Sequence, residues 1–275
     1  MPAPKPSKIH PLPEATRRDA LKVFSGGAGA LALIACGVAP GTTLDGGTGG
    51  GTGTGGGNTG AGGGTAAGGG ASAGGGTGSN PTCQEIASET LGPYPDKVGM
   101  LNNAMYERSD IAEGKAGTAL DVVLSLVNTN AACAAITGAK VVVWHCDADG
   151  HYSEYAGQPG YDGTGTTYMR GVQVSDNNGQ VTFKTVYPGW YPGRATHIHI
   201  EVFVNGTSRK VTQLAFPETV NTAVYAQGVY ASKGSNPQTN GNDMVFQDSL
   251  ADELATVTGN AATGYLAALT IGVDL

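Results

Sequence analysis

From residue 119 onward, apolar and polar side chains alternate in short runs separated by turn residues. Residues 119–127, Ala-Leu-Asp-Val-Val-Leu-Ser-Leu-Val, are rich in β-branched side chains and partly alternate, the pattern of a half-buried strand. Residues 139–144 form a second such run, closed by the turn Asp147-Ala148-Asp149-Gly150. Runs at 169–174 and 180–186 flank Asp176-Asn177-Asn178-Gly179. Asn-Gly accepts positive φ, so this pair predicts a hairpin. Runs at 197–204 and 208–216 flank Asn205-Gly206 and predict another, and 264–273 reads as a last strand. Helical patterning is sparse, with candidates at 217–227 and 248–256. Many short strands with regular turns predict an all-β fold, an antiparallel β-sandwich with few short helices.

The pattern is missing from the first eighty residues. Glycine accounts for 46 of the 275 residues, and nearly half of it is packed between Gly41 and Gly78 among Thr, Ala and Ser. Such a stretch has too little apolar surface to offset ordering entropy, so 37–80 is expected to be a flexible tether. Before it, Arg17-Arg18 precedes an apolar run over 28–35, too short for a permanent bilayer span. The arginine pair resembles a twin-arginine export signal, although Ala20 stands where a large apolar residue is preferred. Leu33-Ile34-Ala35-Cys36 resembles a bacterial lipobox. The expectation is therefore a signal segment at 1–36, export, and membrane attachment through a lipidated Cys36, with one folded domain over 81–275. The other cysteines, Cys83, Cys133 and Cys146, include no CxxC pair, which argues against structural zinc. One disulfide and one free thiol is the simplest arithmetic in an oxidising compartment, and the pairing stays open. A net charge of −7 argues against a nucleic-acid partner.

The candidate chemistry starts at His197-Ile198-His199. Residues two apart on a strand share a face, so the two imidazoles form half of a metal site. Around them lie Thr90-Leu91-Gly92-Pro93-Tyr94, then Trp144-His145-Cys146-Asp147, Gly150-His151-Tyr152, Tyr187-Pro188-Gly189-Trp190-Tyr191-Pro192-Gly193-Arg194, and Thr212-Gln213-Leu214. This ordered set, from about residue 83 to the C-terminus, resembles the intradiol ring-cleavage dioxygenases, the family of protocatechuate 3,4-dioxygenase and catechol 1,2-dioxygenase.

The resemblance implies a non-haem iron(III) held by Tyr152, Tyr191, His197 and His199. It implies a small aromatic diol and O2 as substrates, and intradiol cleavage to a muconate-type diacid. Tyr191 matches the tyrosinate that the catechol displaces and that takes up a substrate proton. Arg194 matches the arginine that stabilises negative charge on the substrate, a fixed cation aimed at developing charge. Gln213 matches a glutamine near the substrate, and Gly92, Pro93 and Tyr94 match the segment bordering the pocket. Only five residues separate Tyr191 from His197, fewer than in the best-known cytoplasmic members, which implies a more open pocket mouth and leaves Tyr187 as a rival ligand. Catechol, protocatechuate, hydroxyquinol and lignin-derived fragments all stay open as substrates.

Taken singly, these residues have blander readings. Buried tyrosines usually pack with a satisfied hydroxyl. Trp144, Tyr187 and Trp190 are assigned to packing, His145 and His151 to turn or surface positions, and Arg170 to a structural ion pair. The anchor, tether and β-pattern alone would equally suit a non-enzymatic, surface-anchored β-sandwich binding domain, and zinc or copper in place of iron is a third reading. The oligomeric state is not legible.

Overall fold

The computed structural model describes residues 83–275; the expected signal segment, Cys36 and the Gly-rich stretch lie outside the described residues. Among the described residues, nine strands form two sheets: β1 (Ala119–Asn128), β2 (Ala134–Ala135), β3 (Lys140–Trp144), β4 (Arg170–Val174), β5 (Gln180–Val186), β6 (His197–Val204), β7 (Thr207–Ala215), β8 (Thr256–Asn260) and β9 (Gly264–Val273). The helices are α1 (Glu218–Tyr225), α2 (Leu250–Glu253) and several single 3-10 turns. One sheet has β1 at its centre, with β9 and then β8 on one side and β5 and β2 on the other. The second runs β4-β3-β6-β7.

The expected β-sandwich is present, with two differences. Strand β9 runs parallel to β1, so the first sheet is mixed. Local alternation reports which residues face the core but not the direction of the neighbouring strand, which long-range pairing decides. The helix expected over 248–256 is a four-residue turn, α2, after which Thr256, Val257 and Thr258 enter β8 and pair with β9. Those β-branched residues fit a pleated edge better than a helix.

The main core lies between the sheets. Leu120, Val122, Leu124 and Leu126 of β1, Phe183 of β5 and Ile271 of β9 meet Val141 and Val143 of β3 and Ile198, Ile200 and Val202 of β6. Val142 and Trp144 of β3 and Arg170 and Val172 of β4 point the other way, and they too are buried. Val142, Trp144 and Val172 form a second cluster with Met100, Tyr106, Cys146 and Tyr152, flanked by Tyr94 and Tyr191. The outer face of the second sheet is thus roofed by the chain before β1 and by the long β3–β4 connection. The N-terminal part of that roof is pinned to both sheets, with the Ile86 N–H donating to Gly272 O (3.1 Å) and the Glu89 N–H to Val211 O (2.8 Å). From there residues 90–94 run toward the site.

Cys83 and Cys133 form a disulfide, and Cys146 is a buried free thiol, in line with the simplest cysteine arithmetic. The bridge closes a loop over a sequence separation of 50 residues, for which chain entropy gives a stabilisation of about 2–4 kcal/mol. Cys133→Ser is therefore expected to lower the unfolding free energy by about that amount in denaturant titrations. A loss below about 0.5 kcal/mol would overturn this expectation.

Candidate metal centre

Strand register builds the floor of the site. Trp144 pairs with Arg170 on β4 and with His199 on β6, and His199 pairs with Gln213 on β7. Arg170, Trp144, His199 and Gln213 therefore form one row across the outer face of the sheet. His197 shares that face, while Ile198 and Ile200 go into the inter-sheet core. The Trp144 ring lies flat on His199, with centroids 4.9 Å apart and planes 5° from parallel. Trp144 does pack, as expected, and what it packs against is a candidate ligand.

The tyrosines arrive on two loops that interlock through glycine. A Cβ on Gly150 (φ +85°) would lie 2.1 Å from Trp190 O, and one on Gly189 would lie 2.3 Å from Ala148 O. Only glycine lets the two backbones approach this closely, and the approach sets the Tyr152 and Tyr191 rings 5.7 Å apart. The Gln158 side chain then clamps Tyr152. Its Oε1 accepts the Tyr152 N–H (2.6 Å) and its Nε2 donates to Tyr152 O (2.7 Å).

The result is a convergence of four donor atoms. His197 Nε2 is 3.1 Å from His199 Nε2, 3.2 Å from the Tyr191 hydroxyl and 3.5 Å from the Tyr152 hydroxyl. The four residues singled out as ligands in the sequence are brought together. His197 Nδ1 lies 2.6 Å from Ala195 O, so it carries the proton and leaves the Nε2 lone pair facing the cluster. Burial, reinforced by nearby Arg194, holds His197 well below the usual imidazole range. Burial and the neighbouring His197 do the same to His199. Both rings are neutral near pH 7, as metal binding requires. Burial pushes Tyr152 well above the usual phenol range and Tyr191 up to about 12. Without a cation these phenols stay protonated, and a bound cation reverses that preference. Two buried neutral imidazoles, one buried phenol and one half-buried phenol around one point fit a hard metal ion of high charge.

Tyr187 is not a competing ligand. It is fully buried in the inter-sheet core, stacks against Phe216 and donates its hydroxyl to Asn221 Oδ1 (2.8 Å). His145 departs from the turn-or-surface expectation. It is buried, with its ring nitrogens 2.7 Å from Cys146 O and 2.9 Å from Thr185 Oγ1. His151 is half-buried and stacks on Tyr161. Among the described residues, Asp147, Asp149 and His151 also gather within reach of an ion. Asp147 is already engaged there by Lys115 Nζ (2.9 Å) and by the N–H groups of Asp149 (3.1 Å) and His151 (2.9 Å), the mark of a capped turn.

Gly92 (φ +69°) packs over His199, where an added Cβ would sit 2.7 Å from the ring. Tyr94 stacks on Tyr152 with centroids 4.8 Å apart, and Pro93 is exposed. Arg194 is half-buried and donates to Asp243 (2.9 and 3.1 Å) and to Gln213 Oε1 (2.6 Å).

A supporting layer was not legible in the sequence. Arg170 is fully buried 3.6 Å from Glu154, an ion pair as expected, but it also donates to Ser153 Oγ (3.0 Å) and Tyr94 O (3.0 Å). It thereby ties the Tyr94 and Tyr152 segments together. Asp243 and Glu253 carried no local signal, because each acts across many residues of chain, and Gln158, only six residues from Tyr152, stands in an irregular connection with no periodic pattern.

A family model described as dioxygenase matches residues 93–233, just over half of the chain. The chain belongs to the intradiol ring-cleavage dioxygenases. It is similar to an intradiol ring-cleavage dioxygenase from Tetranychus urticae, with 29% identity over 70% of this chain and 95% of that one and a TM-score of 0.63. It is also similar to the dioxygenase domain of a dioxygenase carbohydrate-binding protein fusion from Streptomyces sp. SirexAA-E, with 25% identity over 70% and 99% of the two chains and a TM-score of 0.50. Hydroxyquinol 1,2-dioxygenase from Pseudomonas putida DLL-E4 shares the fold at 17% identity over 71% and 68% of the two chains, with a TM-score of 0.50. The non-enzymatic reading lapses with this membership.

Glu253 supports the site from beneath and gives it a pH signature. It is fully buried and accepts from Thr212 Oγ1, the Gln213 N–H and Ser249 Oγ. Burial pushes its carboxyl up from 4.5 to about 7. Folding thus favours the protonated form. Its contribution is fully present below about pH 4.5 and is lost as pH rises through about 7. Urea titrations across this window should show stability falling with rising pH, and Glu253→Gln should flatten the slope. An unchanged slope in that variant would assign it to other groups.

Proposed function

We propose that this ring-cleavage dioxygenase holds a non-haem iron(III) through Tyr152, Tyr191, His197 and His199 and opens catechol-type rings between the two hydroxyl-bearing carbons. The observation that carries the reading is the meeting of four donors at His197 Nε2, within 3.5 Å, on a buried sheet face. Bound iron(III) would supply a Lewis acid that draws electron density from the diol and readies it for O2. Two phenolate ligands would reduce the net charge of the site and favour the ferric state.

The chain's own residues have distinct tasks in this scheme. His197 and His199 stay neutral and fixed, one by its bond to Ala195 O and the other by Trp144 and Gly92. Tyr152 is the immobile phenolate, clamped by Gln158. Tyr191, half-buried and on the more exposed loop, is the phenolate that gives way to substrate and takes up one of its hydroxyl protons at Oη. Arg194 meets the negative charge on the diol. Tyr94 and Gly92 border the ring. One catechol and one O2 give one muconate-type diacid, both oxygen atoms being retained in the product.

Export with lipid anchoring at Cys36 belongs to the same proposal. The Cys83–Cys133 disulfide supports an oxidising compartment. Among the described residues no helix is long and apolar enough to cross a membrane. Intact-mass analysis of the membrane fraction tests the anchor, since Cys36→Ala should release the chain without its lipid.

Iron-loaded protein should show a visible tyrosinate-to-iron charge-transfer band and consume O2 with a catechol, giving the intradiol product. Tyr152→Phe should weaken or remove the band and lower turnover at least about a hundredfold. Iron-replete protein without the band, or with an extradiol product, sinks the assignment.

A further inference from the structure

We propose that Asp243 is the positioning residue of this site, one carboxylate that aims Arg194 at the substrate and also steadies His197. The inference rests on the reading of Arg194 as the cation that meets the diol. Asp243 is fully buried and lies on the stretch between the single-turn 3-10 helix Asn240–Asn242 and Phe246, beyond the residues matched by the family model. Both of its oxygens accept from Arg194 Nε, at 2.9 and 3.1 Å. Oδ1 also accepts the Val245 N–H (2.8 Å) and Oδ2 the Ala195 N–H (2.6 Å). The carboxylate is saturated by these donors, so its own direction is fixed.

Two consequences follow from this geometry. Asp243 takes Arg194 Nε and Gln213 takes Nη2, while Nη1 makes no hydrogen bond among the described residues. A guanidinium held on two of its three nitrogens presents the third in a set direction. The Gln213 side chain is itself held, its Nε2 donating to Thr90 O, while its backbone N–H donates to Glu253. Phe246, three residues after Asp243, lies 5.6 Å under the guanidinium carbon and sets its plane. The other consequence runs through the backbone. Ala195 receives Asp243 at its N–H and gives its carbonyl to His197 Nδ1. The carboxylate therefore anchors the residue whose carbonyl selects the His197 tautomer.

The test is anaerobic binding of catechol to iron(III)-loaded protein, read as an optical titration without turnover, for wild type, Asp243→Asn, Arg194→Ala and the double variant. Asp243→Asn keeps an acceptor for the Ala195 N–H but removes the charge that holds Arg194. Each single substitution is expected to raise Kd at least about tenfold, the scale of a charged hydrogen bond. The double variant should bind no worse than Arg194→Ala, because the two residues act as one unit. Release of iron to a chelator gives a second readout. It should quicken several-fold in Asp243→Ala, which leaves the Ala195 N–H without its acceptor, and not in Arg194→Ala or in Asp243→Asn, which keeps one; release at the wild-type rate in Asp243→Ala would overturn the link to His197. Should Asp243→Asn fail to fold, Asp243→Ser, a smaller acceptor, carries the same comparison. Arg194→Ala with the expected loss and Asp243→Asn within about twofold of wild type would overturn the role of Asp243 alone. Penalties that multiply in the double variant would do the same, reducing Asp243 to general packing. Unchanged Kd in Arg194→Ala would overturn the reading of Arg194 together with this inference.

Discussion

The strict two-residue period of β6 governs the rest of the molecule. Ile198 and Ile200 are buried between the sheets, and their alternates His197 and His199 point to the outer face. A one-residue slip against β3 or β7 would exchange the two sets, exposing the isoleucines and placing imidazoles in an apolar core. The register that buries the isoleucines is thus the register that presents the imidazoles. It also aligns Trp144 and Gln213 beside His199, so one set of backbone pairings fixes the stacking partner and a polar neighbour of the same ring.

Burying so many polar groups on an outer sheet face is costly unless each is paired. The structure meets that requirement with side chains that reach across the chain. Arg170 holds the Tyr94 and Tyr152 segments from below, Gln158 holds the Tyr152 peptide, and Asp243 holds Arg194 and Ala195. Of the four buried side-chain atoms without hydrogen-bond partners among the described residues, two are His199 Nδ1 and Trp144 Nε1. Both belong to the stacked pair beside the donor cluster, where shape and apolar contact orient the ring in place of a hydrogen bond. Rigidity comes from this layer, and reactivity is left to the donors it surrounds. The loops that carry the tyrosines differ accordingly. Tyr152 is fully enclosed, whereas Tyr191 is half-buried beside exposed Pro192 and Gly193. That asymmetry suits one tyrosine that stays and one that moves.

The sequence by itself determined the strand positions, because alternation and the Asn-Gly turns are local properties of the chain. Runs at 180–186, 197–204 and 264–273 coincide with β5, β6 and β9. It also pointed to the four donors, His197 and His199 through the same-face His-x-His signal and Tyr152 and Tyr191 through the ordered motifs that resemble the dioxygenase family. Tertiary structure alone decided the rest. The parallel pairing of β1 with β9, the shortening of the helix expected over 248–256 to one turn followed by β8, and the burial of His145 depend on partners far away in sequence. So do the exclusion of Tyr187, committed to Asn221, and the recruitment of Asp243 to a residue 48 positions earlier. Local pattern specifies which face a side chain takes, but which groups meet across that face is set only when the sheets pack and buried polar atoms must find partners.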